Sequence, residues 1–144
     1  MKKEIKSLID KGEMLPLMEE FYTVQGEGFH KGTAAYFIRI GGCDVGCHWC
    51  DVKESWNADL HPPTFTEKIV KNASKYSNTV VVTGGEPLIW NMEPLTYMLK
   101  KNNLNVPKYF LLQRGYEGNL SRKIKNKKGY EKGKNSNHLL CKFR

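Results

Sequence analysis

The sequence contains no long apolar segment. None of its 144 residues lies in a run that approaches the roughly 18 consecutive apolar residues of a membrane span. The start, MKKEIKSLIDKGE, also lacks the apolar core that a signal peptide carries. We therefore expect a cytoplasmic protein with no membrane partner.

Acidic side chains are scarce near the C-terminal end. The formal net charge is +8, but residues 1–107 carry −1 and residues 108–144 carry +9. Such an excess of positive charge would by itself suggest a nucleic-acid partner. Because the excess is confined to a segment with little apolar periodicity, we expect a basic tail at 108–144, with much of 113–138 poorly ordered.

Cysteine is scarce as well, and its distribution is uneven. Three of the four cysteines fall within CDVGCHWC, at positions 43, 47 and 50. In a reducing cytosol, cysteines this close more often bind metal than form disulfides. The C-x3-C-x2-C spacing is not a pair of CxxC knuckles, so this segment alone cannot build a four-thiolate zinc ribbon.

A four-iron cluster fits the three-cysteine spacing better. Each thiolate binds one corner iron of the cluster, so Cys43, Cys47 and Cys50 would hold three corners. The fourth iron would be left open. An open iron can take a chelating small molecule in place of the missing cysteine.

Two other sites can be built on the same cysteines. One is a zinc site completed by His48 or His30, and the other is an electron-transfer cluster completed by Cys141. The glycines at 41–42 would let the backbone fold tightly around a cluster, and Trp49 could shield it from solvent. Both features favour a buried cofactor.

Apolar periodicity predicts alternating strands and helices. The predicted strands are Met18–Tyr22, Ala34–Ile40 and Thr79–Val82, and the predicted helices cover 2–11, 66–75 and 93–101. Thr64 or Thr66 could cap the helix at 66–75. This alternation indicates an α/β fold with right-handed βαβ units and a parallel sheet. The loops after Ile40 and Val82 would then lie where such sheets build their sites.

The second of these loops, TGGEP at 83–87, carries further chemistry. Its glycines would let the backbone approach a ligand closely. The carboxylate of Glu86 could accept a hydrogen bond from an ammonium group. Alone, this motif is also compatible with an ordinary turn.

The cysteine loop and the GGEP loop together resemble the two motifs of the radical S-adenosylmethionine (SAM) enzymes. The resemblance implies that SAM binds the open iron through its amino and carboxylate groups. An electron from the cluster would then cleave SAM to a 5′-deoxyadenosyl radical that abstracts a substrate hydrogen. The residues implied to line SAM are Trp49, Cys50, Asp51, Gly85 and Glu86.

A narrower resemblance covers residues 15–106. FYTVQGEG at 21–28, then YFIR at 36–39, then the cysteines, are similar to the start of the 7-carboxy-7-deazaguanine synthases. This implies a lyase of queuosine biosynthesis that converts 6-carboxy-5,6,7,8-tetrahydropterin to 7-carboxy-7-deazaguanine and releases ammonia. The residues implied to hold the substrate are Val24, Gln25, Gly26, Arg39 and Thr83. Arg39 would offer a bidentate fork to the substrate carboxylate, and Gln25 can both donate to and accept from the pterin.

The sequence departs from that family in two places. Val52 stands where members commonly place a hydroxyl group that binds Mg²⁺, so a magnesium site would lack this ligand. After Val106 the basic sequence replaces the later strands of the barrel. We therefore expect a partial (β/α) barrel from a truncated or frameshifted chain, with a polar extension at 1–12, the N-terminal part of a radical SAM domain at 13–107 and the tail at 108–144.

The resemblance also implies a protein partner that donates electrons, such as a flavodoxin or ferredoxin, and it leaves homodimer formation open. Three competing functions remain: a radical SAM activating enzyme, a non-catalytic iron–sulfur electron-transfer module, and nucleic-acid binding through residues 113–144. The VQGEG segment disfavours the first of these. The VQGEG and GGEP loops together disfavour the other two.

Overall fold

A computed structural model describes residues 3–26 and 30–104, which form one sheet with helices packed against it. The elements are α1 (Lys3–Asp10), β1 (Met14–Val24), β2 (Ala34–Ile40), β3 (Pro63–Phe65), α2 (Thr66–Ala73), β4 (Val80–Gly84) and α3 (Glu93–Lys101). The sheet order is β3-β1-β2-β4. The predicted α/β class is confirmed. The tail predicted at 108–144 lies outside the described residues.

The sheet is mixed, which corrects the prediction of a parallel sheet. β2 and β4 are parallel, as a strand–helix–strand unit requires, but β1 is antiparallel to both β2 and β3. The reason is the length of the connections. Only residues 25–33 join β1 to β2, and a parallel pair needs a crossover of about a dozen residues or more.

The hydrophobic core lies between the sheet and the helices α2 and α3. β2 contributes Tyr36, Ile38 and Ile40 to it, as expected from the two-residue period of a strand. The intervening residues Phe37 and Arg39 therefore face the other side of the sheet. We call this second side the open face. Its members include Glu19, Phe21, Phe37, Arg39 and Thr83.

A bulge in β1 decides which of its side chains join the open face. The pairing with β2 passes from Leu17 opposite Ile40 directly to Glu19 opposite Arg39, so Met18 is the extra residue. An extra residue shifts the alternation of side chains by one. Leu17 consequently packs against the core, whereas Glu19 lies on the open face.

The ends of the helices differ in detail from the sequence-based predictions. Neither threonine caps α2: the hydroxyl of Thr64 donates to Pro62, and that of the buried Thr66 donates to the carbonyl oxygen of Gly12 at 2.7 Å. The helix predicted at 2–11 forms as α1, and its Ile9 is buried. In the part of the chain that the structure describes, no helix is long and apolar enough to span a bilayer.

Candidate functional site

The three clustered cysteines lie on a loop that follows β2 and is closed at its base. The N–H of Gly42 donates to the carbonyl oxygen of Ser55 at 2.7 Å, and that of Cys43 donates to Trp56 at 3.2 Å. The chain thus leaves and returns at one place, and residues 43–56 form a closed loop that we call the cysteine loop. A short 3-10 turn at Lys53–Trp56 completes it.

The GGEP loop packs directly against the base of the cysteine loop. The N–H of Gly85 donates to Ile40 and that of Glu86 donates to Gly42, both at 2.8 Å. A Cβ atom at position 85 would clash with the carbonyl oxygen of Gly42. Gly42 has a φ of +94°, and a Cβ there would lie 2.7 Å from the Trp90 ring. Glycine is therefore required at both positions, and the two loops are held together by backbone contacts.

The three thiols of the cysteine loop lie within eight residues of one another along the chain. All three are free and partly exposed. Burial raises the pKa of the Cys47 thiol, and the nearby Cys43 and Cys50 raise it further. In addition, the indole N–H of Trp56 donates to the sulfur of Cys50 at 3.3 Å.

This donor set fits an iron–sulfur cluster. A cluster of this kind binds its thiolates through separate irons, so the sulfurs need only share one loop. By contrast, no three His, Cys, Asp or Glu side chains within 3–26 and 30–104 are arranged around a single metal ion. The His48 ring packs edge-on against Trp49, with 4.3 Å between the ring centroids. The zinc alternative gains no support from this arrangement.

Arg39 and Thr83 lie side by side on the open face, near the cysteine loop. They are register partners in β2 and β4, one residue before each strand reaches its loop. The Arg39 guanidinium forms an ion pair with the carboxylate of Glu19. Glu19 was not predicted as a site residue, because the bulge that turns it towards Arg39 leaves no mark in the apolar pattern.

The structure does not bring Val24, Gln25 and Gly26 to the same place. Val24 pairs with Ala34 at the far end of the β1–β2 hairpin. Ala34 and Ile40 are six residue steps apart along β2, which corresponds to about 20 Å. The backbone of Gln25 closes the hairpin through bonds of 2.8 Å with Thr33 and Gly32. Residues 27–29 lie outside the described part.

The residues predicted to line SAM lie in the cysteine loop and the GGEP loop, in different environments. Trp49 and Asp51 are exposed, and Cys50 is partly buried. Gly85 and Glu86 are buried, and Glu86 is only 1% exposed. One oxygen of the Glu86 carboxylate accepts the N–H of Leu88 at 3.1 Å, which caps the 3-10 turn at Pro87–Ile89. These assignments remain predictions.

The fold and the three-thiol loop define the class of protein. The chain belongs to the 4Fe-4S single cluster domain family, whose model matches residues 24–134.

Comparison with individual proteins narrows the family assignment further. The chain is 75% identical over 104 residues to a 7-carboxy-7-deazaguanine synthase of Flavobacterium psychrophilum, covering 72% of this chain and 50% of that protein. A synthase of the same name from Prochlorococcus marinus is 48% identical over 85 residues, 56% of this chain and 38% of that protein. The crystal structure of QueE from Escherichia coli matches with a TM-score of 0.60 and 31% identity, over 74% of this chain and 55% of that one. The predicted resemblance to 7-carboxy-7-deazaguanine synthases is confirmed, and the chain spans about half the length of the curated relatives it matches.

Proposed function

We propose that this chain supplies the iron–sulfur and SAM-binding part of a 7-carboxy-7-deazaguanine synthase. The reaction would convert 6-carboxy-5,6,7,8-tetrahydropterin to 7-carboxy-7-deazaguanine with release of ammonia. One observation carries the proposal: a three-thiol loop is locked by backbone hydrogen bonds to a GGEP loop, in a chain that is 75% identical over 104 residues to a protein named for this activity.

The cluster would be held by Cys43, Cys47 and Cys50. When bound, it supplies the electron that cleaves SAM to a 5′-deoxyadenosyl radical. The chain's own contribution is to fix the three sulfurs relative to the sheet. The hydrogen bonds of Gly42 and Cys43 across the base of the loop join its two ends, and they anchor the cysteine loop to the carboxyl end of β2.

SAM would lie between the cysteine loop and the GGEP loop. The space beside the Cα of Gly85 is filled by the carbonyl oxygen of Gly42, so Gly85 belongs to this proposal through the resemblance alone. The carboxylate of Glu86 is buried beside this junction, where it favours a positively charged group such as an ammonium. Trp49, Cys50 and Asp51 would contact SAM from the cysteine loop.

The substrate carboxylate would bind Arg39, with Thr83 beside it. Glu19 contacts one terminal nitrogen of the Arg39 guanidinium. Because a guanidinium has five N–H donors, further donors remain for the carboxylate of the substrate. Val24, Gln25 and Gly26 belong to this proposal through the resemblance to the synthases alone. The geometric argument depends on Arg39 and Thr83.

Of the cofactors that the family resemblance implies, Mg²⁺ has the least support in this chain. The side chain of Val52 has no oxygen, and its carbonyl oxygen already accepts both the N–H of Ser55 at 3.1 Å and the Ser55 hydroxyl at 2.6 Å. We therefore do not assign a Mg²⁺ ligand at this position. A flavodoxin or ferredoxin as electron donor, the partial-barrel fold and a homodimer remain predictions from the resemblance.

The cluster can be tested on the chain as it stands. After anaerobic reconstitution with iron and sulfide, it should carry one four-iron cluster. Separate replacement of Cys43, Cys47 or Cys50 by serine should abolish this cluster, whereas the control Cys141→Ser should retain it. Loss of the cluster in Cys141→Ser would favour the electron-transfer module instead.

The reaction is best tested in a chimera. The segment of this chain that matches the Flavobacterium psychrophilum protein would replace the corresponding segment of that protein. The chimera should form 5′-deoxyadenosine and 7-carboxy-7-deazaguanine, and Arg39→Ala should suppress the second product far more than the control Lys68→Ala on the exposed side of α2. A chimera that cleaves SAM but leaves the pterin unchanged would refute the proposed substrate.

A further inference from the structure

Trp56 contacts two of the three cysteines through different atoms. Its carbonyl oxygen accepts the N–H of Cys43 at 3.2 Å, and its indole N–H donates to the sulfur of Cys50 at 3.3 Å. The first contact closes the base of the cysteine loop, and the second reaches the last thiol of the motif. The sequence motifs discussed above assign no role to this residue.

The backbone that carries Trp56 is hydrogen-bonded on its N-terminal side. Trp56 ends the 3-10 turn at Lys53–Trp56. The preceding Ser55 is buried, its carbonyl oxygen accepts the N–H of Gly42, and its hydroxyl donates to Val52 at 2.6 Å. This turn places Trp56 where its indole N–H donates to the Cys50 sulfur.

A hydrogen bond to a cluster thiolate has a defined electronic effect. Reduction adds one electron, and so one negative charge, to the cluster and its sulfur ligands. An N–H dipole that points at a ligand sulfur stabilises this added charge more than it stabilises the oxidised form. Hydrogen bonds to the sulfurs are accordingly among the factors that set the reduction potential of such clusters.

We propose that Trp56 is a positioning residue that raises the reduction potential of the cluster through its hydrogen bond to the Cys50 sulfur. This inference rests on the proposed cluster of Cys43, Cys47 and Cys50, but not on the proposed substrate. Its consequence is that an electron donor of given potential reduces a larger fraction of the cluster than it would without the indole.

The experiment compares Trp56→Phe with Trp90→Phe in the reconstituted chain. Phenylalanine keeps an aromatic ring and removes the N–H. Trp90 is the matched control, because the same substitution there removes an indole N–H that donates to the carbonyl oxygen of Gly41 at 2.8 Å and not to a cysteine sulfur. The measurements are iron and sulfide content, followed by a redox titration with a low-potential chemical reductant, monitored by electron paramagnetic resonance (EPR).

We expect full cluster content in both variants and a more negative potential only in Trp56→Phe. The equilibrium constant for reduction should fall by about tenfold, which corresponds to about 59 mV for one electron. An intact cluster with an unchanged potential in Trp56→Phe would overturn the inference, as would an equal shift in Trp90→Phe.

A second measurement covers the case in which Trp56→Phe assembles no cluster. In the unsubstituted chain, electron–nuclear double resonance in H₂O and D₂O should detect an exchangeable proton coupled to the reduced cluster, and labelling the indoles with ¹⁵N should show the adjacent nitrogen. Absence of this coupling would also overturn the inference. A chain that assembles no four-iron cluster at all would refute both this inference and the proposed function.

Discussion

The carboxylate of Glu19 forms an ion pair with the guanidinium of Arg39 across the β1–β2 pair. Both side chains lie on the open face, and Arg39 stands between Glu19 on β1 and Thr83 on β4. The pairing depends on the bulge at Met18. It fixes the direction of the arginine proposed to bind the substrate carboxylate.

Glu19→Gln should therefore affect substrate binding more than stability. The side chains of Arg39 and Glu19 are 25% and 44% exposed, so the pair should contribute less than about 1 kcal/mol to folding. In the chimera, we expect KM for the pterin to rise severalfold with a smaller change in kcat. Glu19→Asp keeps the carboxylate and should therefore raise KM less than Glu19→Gln does. A lower KM in Glu19→Gln would instead show that Glu19 competes with the substrate.

Gly85→Ala should disturb the junction between the two loops. The added methyl group would clash with the carbonyl oxygen of Gly42, and we expect a loss of about 2 kcal/mol in the free energy of unfolding together with a lower iron content. Gly26→Ala is the control for stability, because nothing lies within 4 Å of a Cβ at that position. Denaturant unfolding of the two variants measures the difference. Equal stability would contradict the close packing of the two loops.

Glu86→Gln should weaken SAM binding without unfolding the GGEP loop. Glutamine can still accept the N–H of Leu88 through its amide oxygen, but it lacks the negative charge that would attract the SAM ammonium. Adding SAM to the reduced cluster of the unsubstituted chain should change its EPR spectrum, and Glu86→Gln should require roughly tenfold more SAM for the same change. The exposed Glu93→Gln is the control. If saturating SAM leaves the EPR spectrum of the unsubstituted chain unchanged, an electron-transfer role is favoured.

Tyr36 should make the fold sensitive to strongly alkaline pH. Burial raises its pKa to about 12, with further contributions from the charge of Glu20, a hydrogen bond to Glu20 and the neighbouring Tyr76. Since the folded state holds the phenol proton more tightly than the unfolded state, this stabilisation is complete below pH 10 and is lost as the pH rises towards 12.

The matching variant is Tyr36→Phe, which cannot ionise. Between pH 10 and 12, the unsubstituted chain should lose on the order of 2 kcal/mol more stability than Tyr36→Phe. Denaturant unfolding at several pH values measures this difference, and absorbance at the phenolate band follows the ionisation directly. Parallel losses in both chains would show that Tyr36 ionises as easily in the folded state as in the unfolded one.

Local patterns in the sequence determined the elements and the chemistry of the cysteine loop. The apolar run Ala34–Ile40 forms β2 with the predicted bounds, and the pattern at Glu93–Lys101 forms α3. A short spacing such as that of Cys43, Cys47 and Cys50 restricts the thiols to one loop whatever surrounds it. These features depend on neighbours in the chain, which the sequence displays directly.

The tertiary structure alone decided which distant groups meet. The bulge at Met18 directs Glu19 to Arg39, and the hairpin register places Val24 far from Thr83. The closure of the cysteine loop likewise brings the Trp56 indole to Cys50. Side-chain direction depends on strand pairing, and pairing is set by long-range packing, because a shift of one residue in register turns every side chain to the other face of the sheet.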